Sequence, residues 1–437
     1  MSSNRTESVA SETAVLVGVI LPDRNLREPP LEELDGLAAA AGVRVVGQLT
    51  QRRETPDPAT YLGKGKVEEL RGIADKANAD VVIFDSDLSP AQTRNLEKSV
   101  GRKVIDRTEL ILDIFASRAQ TNEARLAVEL AQLEYAMPRL KRMWTHLSRQ
   151  KKGVGTRGPG ETQLEEDRRI VEHRIKDLKR ELSFIERRKE REVGARREFR
   201  TVSLVGYTNA GKSTLMNRLT DAGVLARDAL FATLDTRTRR WDIPGWGPVL
   251  LSDTVGFIRD LPHHLIASFK ATLEEARQAD LLLHVADGSN SSVGDQIAAA
   301  YRVLEEIGIE TKDTILVINK VDAMPDRLRL QSLLDRYPNA VGVSARSGHG
   351  IGELANAVAE ALSRDFLDVN VEMDVANGRT LAYLASHGEV LSKQYVDGRV
   401  IVHCRIARSF LGRVNEPGVL VEVRRNGSRG ASMEEVA

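Results

Sequence analysis

Short apolar runs alternate with stretches of helical periodicity over the first quarter of the chain. The runs are AVLVGVI, VRVVGQL, VVIF and KVI, which begin at positions 14, 43, 81 and 103. Between them, apolar residues recur with the spacing of an amphipathic helix, and Ser89-Pro90 has the residue types of a helix start. Strand–helix alternation of this kind favours a small parallel sheet. We therefore predict an α/β subdomain over residues 14–118, after a polar lead over residues 1–13 that we expect to be disordered.

A heptad pattern of apolar residues marks the next segment. Apolar side chains step alternately by four and three residues from Leu126 to Leu147, and a second seam runs from Leu164 to Ile185. The linking sequence, RQKKGVGTRGPGETQ, is rich in glycine and contains a proline, which both break helices. The pattern predicts a long antiparallel helical hairpin with a glycine-rich tip and a linker, over residues 119–197.

Strands and helices alternate again over residues 198–364, which predicts a second α/β domain with a parallel central sheet. Residues 365–425 follow as a small α+β module, because VNVEMDV and GRVIVHCRIA alternate apolar and polar residues as strands do. Asp397-Gly398 fits the turn of a β-hairpin. We expect the polar tail, residues 426–437, to be disordered.

Composition limits the class of protein. The 437 residues contain 63 Lys plus Arg and 63 Asp plus Glu, so net charge indicates neither a nucleic-acid nor a membrane partner. Cys404 is the only cysteine, which excludes an intramolecular disulfide and a cysteine-based zinc site. The sequence has no apolar run near the roughly 20 residues that span a bilayer. We predict a cytoplasmic protein without a membrane span, monomeric when free.

The strongest functional motif follows the first strand of the second α/β domain. GYTNAGKS fits the pattern GxxxxGK[ST] between the strand VSLV and the helix STLMNRLTD. Glycines let backbone N–H groups turn toward phosphate oxygens, and the helix N-terminus adds positive potential. Lys212 is suited to reach the terminal phosphates, and the Ser213 hydroxyl is suited to ligate Mg²⁺. The flanking elements disfavour the alternative of a glycine-rich turn that binds nothing. The predicted nucleotide-binding residues of this P-loop are Gly206, Tyr207, Thr208, Asn209, Ala210, Gly211, Lys212, Ser213 and Thr214.

A second motif, DTVG, supplies an acidic residue for the metal. Asp253 follows the apolar run VLLS, at the end of a predicted strand where a Walker-B carboxylate holds the Mg²⁺ shell. The motif is common by itself, and its distance from the P-loop makes it informative. The residues assigned to nucleotide binding here are Asp253, Thr254, Val255 and Gly256.

Two further motifs select the base. Asn319-Lys-Val-Asp322 follows the strand TILVI and resembles the guanine-specifying NKxD motif of GTPases. The Asp322 carboxylate can accept from guanine N1–H and the 2-amino group, whereas adenine would leave it unpaired, which disfavours an ATPase. Asn319 is expected to brace the loop, and a backbone N–H near Ser344-Ala345 to meet the guanine oxygen. The residues assigned to base recognition are Asn319, Lys320, Val321, Asp322, Ser344, Ala345 and Arg346. Together the motifs predict a P-loop GTPase that uses GTP and Mg²⁺.

Phe257 follows DTVG at the position where Ras-like GTPases carry a glutamine that orients the attacking water. A phenylalanine side chain has no donor or acceptor. Slow intrinsic hydrolysis, accelerated by a partner, is therefore expected, with Lys212, Mg²⁺ and the P-loop amides providing electrostatic stabilisation. The alternative is that Phe257 only packs and that a polar residue elsewhere compensates.

DTVGFI, FATLD and GYTNAGKS together resemble HflX, a branch of the translation-factor GTPases. Four stretches outside the GTPase domain are similar to that family's N-terminal signatures: QRRETPDPATYLGKGKVEEL, VVIFDSDLSPAQTRNLE, VIDRTELILDIFASRAQTNEARLAVELAQLEY and GPGETQLEEDRR. The resemblance covers roughly residues 14–364, and the C-terminal module matches only in size and position.

The resemblance places FATLD at switch I and implies that Thr233 completes the Mg²⁺ shell and acts with Lys212 in catalysis. Thr236 and Thr238 are neighbouring alternatives. The residues concerned are Phe231, Ala232, Thr233, Leu234 and Asp235, and the metal ligands so assigned are Ser213, Thr233 and Asp253.

The resemblance also implies the partner. HflX proteins bind the large ribosomal subunit and, with GTP, split or rescue stalled or idle ribosomes, especially under stress. A large-subunit assembly or checkpoint GTPase, as in Obg-like relatives, shares the GTPase motifs and is the main alternative. A signalling switch that acts on protein partners without RNA is a third.

Positive charge near the predicted hairpin tip supports an RNA partner independently. Seven basic residues and no acidic residue occur from Arg139 to Arg157, and such a cluster can track phosphates. The alternative is a solvated helical face. Trp144 could stack on a base, although its place on the heptad seam makes a packing role at least as reasonable. The candidate RNA-binding residues are Arg139, Lys141, Arg142, Arg149, Lys151, Lys152 and Arg157.

Overall fold

The structure is a computed structural model. It describes residues 9–22, 29–143, 159–195, 199–220, 230–231, 236–259, 275–306, 308–309, 313–364, 366–411, 414, 416 and 418–424. The chain divides into two compact units, residues 1–354 and 355–437.

The first unit begins with the small parallel sheet that the sequence predicts. Its strands are β1 (Thr13–Ile20), β2 (Arg44–Arg52), β3 (Val81–Phe84) and β4 (Lys103–Asp106), in the order β2-β1-β3-β4. All neighbouring strands run parallel. Order begins earlier than predicted, because Val9, inside the segment expected to be disordered, is buried in the core and Thr13 already belongs to β1.

Four helices connect and cover this sheet, namely α1 (Glu32–Ala40), α2 (Lys64–Lys76), α3 (Pro90–Val100) and α4 (Arg107–Arg118). The start of α3 follows from its sequence, since Ser89 and Gln92 form a capping box and Pro90 occupies the first helical turn. Asp106, the last residue of β4, accepts a hydrogen bond from the backbone N–H of Glu109 and so caps α4 directly. The strand and the following helix are therefore joined without a loop.

Two long helices follow, α5 (Asn122–Met143) and α6 (Pro159–Ala195). Leu126 and Leu130 of α5 share one hydrophobic cluster with Leu178 and Leu182 of α6, as the two seams predict. Ion pairs Arg174–Glu129 and Lys179–Glu134 add contacts between the helices. Pro159, expected to break a helix, is instead the first residue of α6, because proline fits the first helical position.

The second α/β domain is built on a six-stranded sheet in the order β10-β9-β8-β5-β7-β6. Its strands are β5 (Arg200–Gly206), β6 (Arg237–Ile243), β7 (Gly247–Asp253), β8 (Leu281–Asp287), β9 (Thr314–Asn319) and β10 (Ala340–Gly342). All pairs are parallel except β6 with β7. Within its described residues, the helices include α7 (Lys212–Thr220), α8 (Val293–Glu306), α9 (Arg327–Arg336) and α10 (Ile351–Ser363).

The second unit contains the α+β module. It comprises β11 (Phe366–Asp374), α11 (Gly378–His387), β12 (Gly388–Val396), β13 (Arg399–Ala407), α12 (Arg408–Leu411) and β14 (Leu420–Val423). The antiparallel sheet has the order β12-β13-β11-β14, and this βαββαβ arrangement is ferredoxin-like. Cys404 is buried in its core.

Among the helices within the described ranges, none is both long and apolar enough to cross a membrane.

Candidate nucleotide-binding site

The P-loop follows β5 directly and leads into α7, and two of its glycines are required by close contacts. At Gly206, which has φ 140°, a Cβ would lie 2.2 Å from the carbonyl oxygen of Val285 on the neighbouring strand. At Gly211, with φ 90°, a Cβ would lie 2.3 Å from Asn319 Nδ2. Any larger residue would push the loop away from β8 and β9.

Lys212 is the first residue of α7 and is buried. Its Nζ donates to the carbonyl oxygens of Gly206 at 3.1 Å and Tyr207 at 2.9 Å, so the ammonium lies under the loop. Burial lowers the pKa of Lys212 to about 8, and the charge of Asp253 partly opposes this shift. The lysine is thus held where a phosphate on the loop would find a nearby positive charge.

Ser213 and Asp253 bring two oxygen donors together at the start of α7 and the end of β7. Ser213 Oγ donates to Asp253 Oδ2 at 2.7 Å. Both oxygens are hard donors of the kind that Mg²⁺ prefers, and Mg²⁺ bound to a nucleotide usually takes few protein ligands beside water and phosphate. The donor set therefore fits the predicted metal.

Asn319, the last residue of β9, joins three loops. Its Nδ2 donates to the carbonyl oxygen of Ala210 in the P-loop at 2.8 Å, and its Oδ1 accepts from the backbone N–H of Ala345 at 3.0 Å. Lys320 has a left-handed backbone conformation and pairs with Asp287 at 2.7 Å. The next residue but one, Asp322, has an exposed side chain. The buried side-chain amide of Asn319 therefore supports a loop on which the Asp322 side chain is exposed.

The loop after β10 is held by its own serines. Ser344 is fully buried, and its Oγ accepts from the backbone N–H of Ser347 at 3.0 Å. Its carbonyl oxygen accepts from the N–H of Gly348 at 2.8 Å. Ala345 is buried beside Asn319, while Arg346 is exposed.

Of the five residues assigned to switch I, only Phe231 is among the described residues. Phe231 is buried and packs edge-on against Phe115 of α4, with ring centroids 4.6 Å apart, so its ring faces the N-terminal subdomain. Ala232, Thr233, Leu234 and Asp235 lie outside the described residues. The two alternative threonines, Thr236 and Thr238, each donate to Glu275 at 3.3 Å.

We call residues 253–259 the switch II segment. Thr254, assigned to nucleotide binding, is fully buried, and its Oγ1 donates to the carbonyl oxygen of Leu204, so that its hydroxyl is used inside the sheet. Phe257 is also buried, which favours the packing alternative for its ring. Its backbone N–H donates to Gly206 O at 3.0 Å, and its carbonyl accepts from Thr208 N–H at 2.7 Å. The P-loop and switch II therefore lie side by side.

Sequence reasoning missed a buried charged cluster between the N-terminal subdomain and the GTPase site. Tyr207 donates from its hydroxyl to Glu33 of α1 and accepts from the backbone N–H of Arg259 at 2.6 Å. Arg107 pairs with Glu33 at 2.9 Å and with Asp85 at 2.7 Å. No sequence signal indicates these contacts, because their partners lie far apart along the chain.

His284 was also missed. It lies on β8, fully inside the domain, with its ring edge-on to Tyr301 at 4.9 Å. Burial, and the nearby charge of Lys212, lower the pKa of His284 to about 4. The imidazole is therefore neutral at physiological pH.

Of the seven candidate RNA-binding residues, Arg139 has a different partner. Its guanidinium pairs with buried Asp106 at 2.8 Å, donates to the carbonyl oxygen of Leu88 at 3.1 Å and lies over the ring of Tyr135. The charge run could not reveal this, because Asp106 is distant in sequence. Lys141 and Arg142 belong to the last turn of α5. Arg149, Lys151, Lys152 and Arg157, and also Trp144, lie outside the described residues.

Comparison with known families assigns three consecutive parts of the chain. Residues 28–116 match the family described as GTP-binding GTPase N-terminal, and residues 118–196 match GTP-binding GTPase Middle Region. Residues 201–320 match the family described as 50S ribosome-binding GTPase.

Individual proteins are similar over most of their length. The chain is 48% identical over 374 residues to the protein named GTPase HflX of Escherichia coli K12, covering 85% of this chain and 87% of that protein. It is 43% identical over 424 residues to GTPase HflX of Magnetococcus marinus, covering 95% and 98%. A solved GTP-binding protein from Sulfolobus solfataricus in complex with GDP is 23% identical, with a TM-score of 0.44, over 81% of this chain and 99% of that one.

Proposed function

This chain belongs to the HflX family of GTPases, and from that premise we propose that it binds the large ribosomal subunit and uses GTP to split or rescue stalled or idle ribosomes. The observation that carries the proposal is the match of residues 201–320 to a 50S ribosome-binding GTPase domain, continuous with matched N-terminal and middle regions. Stress is the condition in which we expect the activity to matter, and the cytoplasm is the compartment. The free protein is proposed to be a monomer. Its proposed domains are residues 14–118, 119–197, 198–364 and 365–425, as the sequence predicts.

The nucleotide proposal assigns roles to the residues of the site. The P-loop amides and Lys212 bind the phosphates, since the ammonium lies under the loop, within hydrogen-bond distance of the carbonyl oxygens of Gly206 and Tyr207. Asp322 accepts from guanine, and Asn319 holds its loop against Ala210 and Ala345. This division of labour gives base specificity to one loop and phosphate affinity to another.

Ser213 and Asp253 are the proposed holders of Mg²⁺, together with Thr233. When bound, Mg²⁺ neutralises charge on the β- and γ-phosphates. Thr236 and Thr238 are the less favoured choices, because Glu275 already accepts from both hydroxyls.

Slow intrinsic hydrolysis is proposed because Phe257 cannot orient a water and its ring is buried among apolar neighbours. The side chains of this chain would then bind and orient GTP, while the ribosome accelerates the reaction. Such partner dependence would restrict GTP consumption to the bound complex.

The hairpin is the proposed RNA contact. Six of the candidate basic residues belong to the last turn of α5 or to the stretch of sequence that joins α5 to α6. Their common feature is a position at or after the last turn of α5: Lys141, Arg142, Arg149, Lys151, Lys152 and Arg157. Arg139 is left out, because its charge is already used by Asp106.

The alternative, a large-subunit assembly or checkpoint GTPase, shares the same nucleotide site. Single-turnover GTP hydrolysis with and without purified large subunits, run beside sucrose gradients of whole ribosomes, separates the two. Under the proposal, large subunits accelerate hydrolysis and ribosomes separate with GTP or a non-hydrolysable analogue. Acceleration without separation of ribosomes would favour the assembly role. Fast hydrolysis alone, unchanged by ribosomes, would contradict both.

A further inference from the structure

Arg107 holds the end of the switch II segment. Its NH2 donates to the backbone carbonyl oxygen of Arg259 at 3.2 Å, while its guanidinium also pairs with Glu33 and Asp85. The side chain is only 3% exposed, as is that of Asp85. The Arg259 guanidinium reaches the same two carboxylates, at 3.2 Å and 3.5 Å. Moving Arg107 would leave its own buried charge without these partners, which is costly, so its side chain has one well-defined position. The carbonyl of Arg259 is therefore fixed to the N-terminal subdomain.

The same short stretch of switch II is also fixed to the P-loop. The N–H of Arg259 donates to the Tyr207 hydroxyl at 2.6 Å, and that hydroxyl in turn donates to Glu33. Two residues earlier, Phe257 exchanges backbone hydrogen bonds with Gly206 and Thr208. A shift of Arg107 or Glu33 would thus be felt by backbone groups next to the expected phosphate site.

Asp106, the residue before Arg107, holds the hairpin. Its carboxylate accepts from the Tyr135 hydroxyl at 2.6 Å and from Arg139 at 2.8 Å, both on α5, and from the Leu88 N–H at 3.2 Å. The Asp106 side chain is 1% exposed and that of Arg139 is 16% exposed. Helix α5 therefore has a buried, charged attachment to the end of β4.

The two attachments share one peptide bond. Asp106 ends β4 and caps α4, and Arg107 is the first residue of α4, so no flexible loop separates them. Because buried ion pairs break and reform between discrete arrangements and do not stretch continuously, a change at one of these two residues must be accommodated by the other.

We propose that Arg107 is a positioning residue for GTP hydrolysis, and that Asp106 ties its position to helix α5 so that a load on the hairpin is transmitted to switch II. The inference rests on the proposed function, in which the hairpin meets the large subunit. It names the route by which that contact reaches the GTPase site: Tyr135 and Arg139, then Asp106 and Arg107, then Arg259 and Tyr207.

The first test uses Tyr135→Phe, which removes only the hydroxyl that binds Asp106. The full-length variant is compared with the wild type in single-turnover hydrolysis and in sedimentation with large subunits. We expect unchanged intrinsic rate and subunit affinity, and a subunit-stimulated rate lower by about tenfold. Tyr383→Phe, which removes a hydroxyl from α11 in the second unit, is the matched control and should behave as wild type.

A second variant, at Glu33, tests the end of the route that lies next to the P-loop, in the same assay. Glu33→Gln removes the negative charge that pairs with Arg107 and that accepts the hydrogen bond from the Tyr207 hydroxyl. If both substitutions act on one route, the double variant should be no slower under stimulation than the slower single variant, because effects on one connected unit do not add. Full stimulation of Tyr135→Phe, or additive losses in the double variant, would overturn the inference.

A third measurement needs no ribosome, so it separates this inference from the proposed function. Reciprocity holds for binding equilibria, so if the bound nucleotide changes the switch II segment, the same contacts should carry that change to α5. Amide hydrogen exchange around residues 131–139 should differ between GDP and a non-hydrolysable GTP analogue in the wild type, and this difference should disappear in Tyr135→Phe. Equal exchange with both nucleotides in the wild type would contradict the route even if ribosomes stimulate hydrolysis. If ribosomes fail to stimulate the wild type while exchange still differs, the partner assignment fails and the internal coupling stands.

Discussion

The side-chain amide of Asn319 donates to the backbone carbonyl oxygen of Ala210 at 2.8 Å, which joins the base-recognition loop to the P-loop. Replacement by alanine would leave that carbonyl and the Ala345 N–H buried without their partner. Each such loss costs about 1–3 kcal/mol. For Asn319→Ala we expect guanine-nucleotide affinity to fall by about tenfold to a hundredfold, measured by fluorescence titration. Asn370→Ala, on β11 of the second unit, is the control. Unchanged affinity in Asn319→Ala would refute the bracing role.

Base specificity is predicted to depend on the carboxylate of Asp322. In Asp322→Asn the amide can donate to the 2-oxo group of xanthine, whereas it meets the 2-amino group of guanine with its own N–H. We expect GTP affinity to fall by at least about a hundredfold and XTP affinity to rise, since unpaired buried polar groups discriminate strongly. Competition between the two nucleotides measures the change. Retained preference for GTP would place base recognition elsewhere.

Metal dependence is predicted to pass through Ser213. Removing Mg²⁺ with EDTA should weaken GTP binding to the wild type, and Ser213→Ala should show a much smaller difference between the two conditions. A loss of about tenfold or more in metal affinity is expected for a ligand substitution. Ser363→Ala, in α10, provides a control with the same chemical change. An EDTA effect of full size in Ser213→Ala would contradict the assignment.

The lowered pKa of Lys212, about 8, predicts a pH dependence of nucleotide binding. A bound phosphate raises the pKa of a neighbouring ammonium, so binding takes up a proton wherever the lysine is neutral beforehand. Affinity should therefore be independent of this group well below pH 8 and should fall above pH 8, until the pH exceeds the raised pKa of Lys212 in the complex. The limiting slope is about tenfold per pH unit. Calorimetry at pH 8.5 in buffers of different ionisation enthalpy would detect the proton.

Lys212→Arg is the comparison for that experiment, because the guanidinium stays charged over the whole range. Proton uptake should vanish in the variant even if its affinity is lower. Equal uptake in both proteins would show that another group titrates.

His284 predicts a loss of stability in acid. Its pKa in the folded protein is about 4, below the ordinary value of 6.5, so the unfolded chain binds the proton first. Stability from this group is complete above pH 6.5 and declines as pH falls toward 4, by about 2 kcal/mol at pH 5. Thermal unfolding of wild type and His284→Leu at pH 7.5 and pH 5 should show a smaller acid shift in the variant. His173→Gln, at an exposed position on α6, should show the wild-type shift.

Much of the site was predictable because its parts are local. Gly206 and Gly211 occur at fixed spacing from Lys212, so the motif is visible in the sequence, although the contacts that require them are with Val285 and Asn319 on other strands. The strands that end at Asp253 and Asn319 are short buried runs, so the sequence indicates both the strand and the residue that follows it. The parallel sheets could be predicted for the same reason.

The remaining contacts could not be predicted, because they join residues without a shared local pattern. Arg139 belongs to a basic run in the sequence. Only the structure shows that its side chain is 16% exposed and that it pairs with Asp106. Thr254 lies inside a nucleotide-binding motif, yet its hydroxyl serves the sheet. Position in a motif or in a charge run indicates what a residue can do, whereas the tertiary neighbours decide which group it serves.

The hydrogen bond between Tyr207 and Glu33 has a consequence for how the sequence can diverge among relatives. The two positions are 174 residues apart, in parts of the chain that match separate families. In a relative with phenylalanine at position 207, the acid at position 33 would lose the hydroxyl that donates to it. The residues at the two positions should therefore change together as lineages diverge. Exchange of the N-terminal part between distant relatives should therefore be better tolerated when the recipient P-loop carries a tyrosine at this position.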